Sequence, residues 1–218
     1  MPVRAVLLDL YDTLVWTDWA RVRKALAGRL GLDGELIARA FTETRAARNV
    51  GAYGDAAGDW DAVLAWAGVE SPPEVAIDAA SLEHELLRGA VHLFPESMQV
   101  VTDLRARGLK TALISNCSHA TRPVVDRLGL PEAFDAVMLS FELGVRKPDP
   151  EIYRRTLVAL GGVDAEDAVF VDDQPGYCDG ARALGIGAFL MSRGDEPEEE
   201  PGGDHPRLAD LRQLLQHL

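Results

Sequence analysis

Four clusters of polar residues stand directly after apolar runs, and together their types could do chemistry. Asp9, Tyr11, Asp12 and Thr13 lie at the end of the run Ala5-Val6-Leu7-Leu8-Asp9-Leu10, which is continuously apolar up to the acid, and Ser115 and Asn116 follow Leu109-Lys110-Thr111-Ala112-Leu113-Ile114. Arg146-Lys147-Pro148 lies in the loop after Ala136-Val137-Met138-Leu139, and Asp172 and Asp173 follow Ala168-Val169-Phe170-Val171. Taken singly, each cluster reads equally well as a helix cap or a turn. Brought together, they would gather carboxylates, hydroxyls and one lysine in one crevice. Converging carboxylates repel one another and need a cation, whether Lys147, a divalent metal or both. A site so rich in oxygen donors suits Mg²⁺.

The apolar runs explain how such clusters could meet. Continuous apolar stretches of this length read as strands buried on both faces of a parallel sheet. Helices are expected over 97–107, 120–128, 150–160 and 176–184, and a further strand over 186–190. Strand alternating with helix predicts a parallel sheet with right-handed crossovers, and ligands bind beyond the carboxyl ends of its strands. From Trp19 to about Ala90 the texture differs: apolar residues recur at helical spacing, as in Val22, Leu26 and Leu30, with no strand signal. The expected fold is therefore α/β, a Rossmann-like core of residues 1–15 and 94–218 with an all-helical insert over 16–93. An acidic, Pro- and Gly-rich connector over 195–203 leads to a closing amphipathic helix on Leu208, Leu211, Leu214 and Leu215.

Composition excludes other classes. With 47% hydrophobic and 26% charged residues in 218, the chain is globular rather than disordered. Its 35 acids against 22 bases give a formal charge of −13, which argues against a nucleic-acid binder. No stretch approaches the ~20 apolar residues that span a bilayer, and the first residues do not read as a signal peptide. Cys117 and Cys178 form no C-x-x-C pair and read as two reduced thiols. The expectation is a cytoplasmic protein, monomer or homodimer, that acts on a small molecule and engages neither nucleic acid nor membrane.

The motifs Leu8-Asp9-Leu10-Tyr11-Asp12-Thr13-Leu14, Leu113-Ile114-Ser115-Asn116, Gly144-Val145-Arg146-Lys147-Pro148-Asp149-Pro150 and Phe170-Val171-Asp172-Asp173 occur in that order along the chain. In this the sequence resembles the haloacid dehalogenase-like hydrolases, in the subfamily whose helical cap is inserted after the first motif. The resemblance implies that Asp9 is a nucleophile forming a covalent intermediate that water later hydrolyses. It implies that Thr13 and Ser115 hydrogen-bond the transferring group and that Lys147 neutralises charge shared by nucleophile and substrate. Asp9, Asp172, Asp173 and the backbone carbonyl of Tyr11 would hold Mg²⁺, and Asn116 would support the crevice or reach the substrate.

One residue departs from the family's phosphatase pattern. Two positions after the nucleophile, phosphatases carry an aspartate that protonates the leaving oxygen; here Tyr11 stands there, with an ordinary pKa near ~10. Haloacid dehalogenases also have tyrosine there, but do not keep an acidic pair like Asp172-Asp173. Asp12 would point the other way if the chain stays extended. The expected function is a Mg²⁺-dependent phosphatase of a small phosphorylated metabolite; the alternatives are a metal-independent 2-haloacid dehalogenase using Asp9, or a catalytically weak binding protein. In the insert, Arg45 and Arg48 are candidate substrate ligands. Trp60 and Trp66 are expected to pack its core, His119 to begin a helix, and neither cysteine to be activated.

Overall fold

Ala5, Val6, Leu7 and Leu8 are all fully buried, as a strand covered on both faces requires. The computed structural model describes residues 2–70, 72–194 and 204–218. Strand β1 (Ala5–Leu8) is followed by β2 (Val15–Thr17), four helices, α1 (Trp19–Leu30), α2 (Gly34–Arg48), α3 (Ala56–Trp66) and α4 (Pro73–Ala90), and β3 (Val91–Leu93). Then come α5 (Ser97–Ala106), β4 (Lys110–Ser115), α6 (Arg122–Arg127), α7 (Leu130–Ala133) and β5 (Ala136–Leu139). The chain continues through α8 (Ser140–Leu143), α9 (Pro150–Ala159), β6 (Ala168–Asp172), α10 (Pro175–Arg182), β7 (Gly187–Met191) and β8 (Arg207–Leu208).

Six strands form one sheet in the order β5-β4-β1-β6-β7-β8, and every pairing is parallel. From β1 the chain adds β4 and then β5 on one side, and afterwards crosses to β6 on the other. Strand order thus reverses at β1, the place where an open parallel sheet leaves a crevice beyond its strand ends. Leu8 pairs with Leu113 on one neighbour and Val171 on the other, so the residues just past these positions emerge side by side.

The helical stretch after β1 is bounded by a feature that periodicity does not reveal. Val15–Thr17 pairs antiparallel with Val91–Leu93, Val15 opposite Leu93 and Thr17 opposite Val91. This two-stranded ribbon ties the ends of α1–α4 together; three residues per strand are too few for a period to show. Asp18, Asp33 and Asp55 cap the first three helices, each accepting a backbone N–H two or three residues into the helix. Trp60 is buried as expected, but Trp66 is 43% exposed and does not pack the insert's core.

The C-terminal end departs from its sequence pattern. Leu208, Leu211 and Leu214 are all buried, but the expected α-helix is absent. Leu208 belongs to β8, held by the Ser192 N–H to its carbonyl at 2.8 Å, and a 3₁₀ helix follows over Leu211–Gln216. The apolar spacing is right for burial, but edge pairing to β7 takes the first leucine, and Asp210 starts a fresh turn by accepting the Arg212 N–H. The connector expected over 195–203 lies outside the described residues. Among the described residues no helix is long and apolar enough to cross a membrane.

Candidate active site

Asp9, Ser115 and Asp172 arrive together because β1, β4 and β6 are adjacent and in register. Asp9 extends the ladder by one bond, its N–H donating to the Val171 carbonyl at 3.0 Å. Lys147 joins them from the loop after α8. Its Nζ donates to Asp9 Oδ1 at 2.5 Å, Asp172 Oδ2 at 2.6 Å and the Ile114 carbonyl at 3.0 Å. All three ammonium hydrogens are thus satisfied, which is what a cation that is 1% exposed requires. The rings of Phe170 and Tyr177 lie 5.3 and 5.2 Å from the same nitrogen.

Asn116 fixes the lysine's backbone. Its Nδ2 donates to the Lys147 carbonyl at 2.8 Å, and its Oδ1 accepts the Lys147 N–H at 2.7 Å. Of the two roles expected for Asn116, supporting the crevice or reaching the substrate, the side chain is engaged at both ends in the first, positioning Lys147. Helix α10 closes over the same loop at Gly180, where a Cβ would come within 2.8 Å of the Pro148 Cβ, so only glycine fits.

Asp173 completes a group of three carboxylates with Asp9 and Asp172, whose nearest oxygens lie within 4.8 Å of one another. Asp172 Oδ1 accepts the Gln174 N–H at 2.8 Å, and Asp173 Oδ2 accepts Gln174 Nε2–H at 2.5 Å. Burial pushes the Asp9 carboxyl up to about 6, with Lys147 opposing and Asp173 adding to the rise. Burial raises Asp172 well above its ordinary value, again against Lys147, and raises Asp173 also. Lys147 loses by desolvation, but Asp172 and Asp9 outweigh that and hold it protonated. One ammonium among three crowded carboxylates leaves negative charge uncompensated. With hard oxygen donors throughout, the set fits a Mg²⁺ ion.

Two buried hydroxyls have no hydrogen-bond partner among the described residues. Thr13 and Ser115 are 0% and 1% exposed, and neither Oγ makes a hydrogen bond among the described residues. A buried hydroxyl left unpaired costs about 1–3 kcal/mol; Ser115 lines the crevice with Asp9, whereas Thr13 is not among the residues that line it. Tyr11 is half-buried, its hydroxyl 3.2 Å from Thr121 Oγ1 and its ring 5.2 Å from that of Trp19. Burial pushes its phenol further above the ordinary value, away from proton transfer near neutrality.

Asp12 corrects the sequence expectation. The chain does not stay extended: Asp12 has φ 60° and its N–H turns back to the Val15 carbonyl at 2.7 Å. Its side chain lines the crevice with Asp9 and Asp173. His119 does open a short helix, as expected, and its Nδ1 also meets Asp59 of α3 at 2.9 Å, joining the insert to the core. Burial pushes the Cys117 thiol up to about 12 and raises Cys178 as well, so both are inert.

A cleft of about 360 Å³ opens between the strand ends and the insert. It brings Arg45 and Arg48 to the side facing Asp9 and Ser115. It also brings Glu83 of α4, a residue that sequence reading passed over. The signal was present: Ala79, Glu83 and Leu87 recur at helical spacing on the buried face of α4, where an acid is out of place.

A family described as haloacid dehalogenase-like hydrolase matches residues 3–185. The chain is 36% identical over 125 residues to a phosphoserine phosphatase of Thermus thermophilus, covering 56% of this chain and 50% of that protein. It thus spans about half the length of that relative. It is 32% identical over 184 residues to a phosphoglycolate phosphatase of Rhodospirillum rubrum, covering 84% of this chain and 68% of that one. Among solved structures, a 2-haloacid dehalogenase from Pseudomonas syringae superposes with a TM-score of 0.74 at 25% identity, over 98% of this chain and 97% of that one.

Proposed function

This chain belongs to the haloacid dehalogenase-like hydrolase family, and on that premise we propose that it is a Mg²⁺-dependent phosphatase of a small phosphorylated metabolite, with Asp9 as nucleophile. The observation that carries this reading is the convergence of Asp9, Asp172 and Asp173 on one point, with only Lys147 between them. The named phosphatases among its relatives favour the same activity.

In the proposed reaction Lys147 holds Asp9 Oδ1, and Oδ2 attacks phosphorus. The Asp9–phosphorus bond forms as the bond to the leaving oxygen breaks, and that oxygen departs with its electron pair and takes a proton from solvent water to become the alcohol. Water then attacks phosphorus, the Asp9–phosphorus bond breaks, and inorganic phosphate leaves. Thr13 and Ser115 donate their unpaired hydroxyls to the phosphoryl oxygens, and Lys147 keeps Asp9 ionised. Mg²⁺, held by Asp9, Asp173 and the Tyr11 carbonyl with Asp172 beside them, would neutralise charge on the transferring group. The four-helix insert acts as a cap that excludes water and selects the substrate. A cytoplasmic location and a monomeric or homodimeric state belong to the same proposal.

The acids also set a pH dependence. Asp9 is raised from 3.8 to about 6 in the metal-free fold, so the folded state holds the extra proton between those values. The stability this contributes is present below pH 3.8 and lost as pH rises through 6. Mg²⁺ should therefore raise Tm more at pH 7.5 than at pH 5, and EDTA should abolish phosphatase turnover. Equal Tm gains at the two pH values, or turnover that survives chelation, would contradict the metal's role. Tyr11 favours the second reading, a 2-haloacid dehalogenase, and halide release that persists in EDTA would support it.

A further inference from the structure

The wall of the cleft formed by α2 and α4 holds two buried charges of opposite sign that do not close on each other. Arg48 is 7% exposed and Glu83 8%. Arg48 gives Nε to Thr44 Oγ1 at 3.0 Å and Nη2 to the Phe41 carbonyl at 2.9 Å, with its guanidinium 4.6 Å from the Phe41 ring. Glu83 Oε2 accepts the Trp60 indole N–H at 2.8 Å. No direct ion pair joins Arg48 to Glu83, although burial weakens each charge and the other partly restores it. Arg48 Nη1 and Glu83 Oε1 have no protein partner among the described residues, and neither is sealed from solvent. Both residues line the cleft that holds Asp9 and Ser115.

Two buried opposite charges that stop short of an ion pair, each with one polar atom left open, offer a bridging ligand a donor and an acceptor side by side. What fits between them accepts from a guanidinium and donates to a carboxylate. A carboxylate matches the planar fork of an arginine, and a neighbouring hydroxyl or ammonium supplies the donor. Arg45 of α2 and Arg23 of α1 also line the cleft, so its insert side carries three guanidinium groups against one carboxylate and favours an anionic tail. We propose that Arg48 and Glu83 bind the leaving-group end of the substrate, and that the substrate is a phosphomonoester whose alcohol carries a carboxylate beside a hydroxyl or ammonium. This rests on the phosphatase reading for the chemistry at Asp9, while binding of the alcohol does not require turnover.

Two measurements on the full chain separate the subsite from the chemistry. The first is kcat/KM, with Mg²⁺, for 3-phosphoglycerate, O-phosphoserine, phosphoethanolamine and ethyl phosphate. Phosphoethanolamine, which can reach Glu83 but lacks the carboxylate for Arg48, should fall below O-phosphoserine. At least one of the two carboxylated esters should exceed ethyl phosphate by about 100-fold, and Glu83→Gln or Arg48→Gln should shrink that ratio about 10- to 100-fold, as loss of a charged hydrogen bond does, chiefly through KM. A preference for 3-phosphoglycerate assigns the hydroxyl as donor; a preference for O-phosphoserine assigns the ammonium. Glu83→Gln retains an oxygen for Trp60 and carries the test alone if Arg48→Gln does not fold. Equal kcat/KM for all four esters, or variants that slow all four alike, overturns the proposal. The second is calorimetric titration with glycerate and with serine. Binding of one, lost in Glu83→Gln, is expected; binding of neither overturns the subsite whatever the turnover. Retained binding with no turnover of any phosphate overturns the phosphatase reading and leaves the subsite standing.

Discussion

Replacing Asp9 by asparagine is expected to lower turnover by at least ~10³-fold while the protein stays folded. The amide is isosteric with the carboxylate but is a poor nucleophile. It also removes one negative charge from a crevice in which burial already pushes the Asp9 carboxyl up to about 6. Lys147 keeps its 2.6 Å bond to Asp172 in the variant, so a buried one-to-one pair remains and no charge is stranded. Turnover of an aryl phosphate and Tm, measured together, check both halves. Activity above a few per cent of wild type, in protein shown by mass to be free of deamidation, would remove Asp9 from the mechanism.

Tyr11→Asp is expected to raise the turnover of alkyl phosphates by up to ~10²–10⁴-fold, the usual contribution of a positioned general acid. In the wild type the phenol is pushed up by burial and engaged with Thr121, so it does not supply the proton. The leaving oxygen then departs with developing negative charge, and its own basicity enters the barrier. Wild-type protein should accordingly hydrolyse aryl or acyl phosphates much faster than alkyl phosphates, and the substitution should narrow that gap. Loss of the ring packed against Trp19 should cost about 2–3 kcal/mol of stability, so Tm is followed alongside. Equal rates for both substrate classes in the wild type would mean that another residue supplies the proton.

The sheet was legible because its strands are short apolar runs ending in acids or hydroxyls. Ala136–Leu139 matches its expected span, and the other core strands differ from expectation by a residue or two. The conjunction of Asp9, Lys147 and Asp172 followed from parallel topology alone, since three adjacent strands and one loop end at the same edge. Backbone conformation and tertiary choice were not legible. Nothing in the residue type of Asp12 declares a φ of 60°, yet that turn brings its carboxyl back to the crevice. The ribbon of Val15–Thr17 and Val91–Leu93 joins residues far apart in sequence through strands too short for periodicity. The type of Asn116 leaves open whether it supports the crevice or reaches the substrate; only the fold shows its amide clamping Lys147, a partner 31 residues away. Glu83 went unread because an isolated acid in a helix is ordinarily solvated, and only the packing of α4 against α3 shows that this one is not.

The covalent intermediate on Asp9 can be sought directly. Wild-type protein turning over an aryl phosphate with Mg²⁺ would be quenched in acid, digested and examined by mass spectrometry. The peptide containing Asp9 should carry one phosphoryl group, and neutral hydroxylamine should remove it, as an acyl phosphate requires. Steady turnover with no phosphoryl group on that peptide, or with the group on another residue, would contradict nucleophilic attack by Asp9.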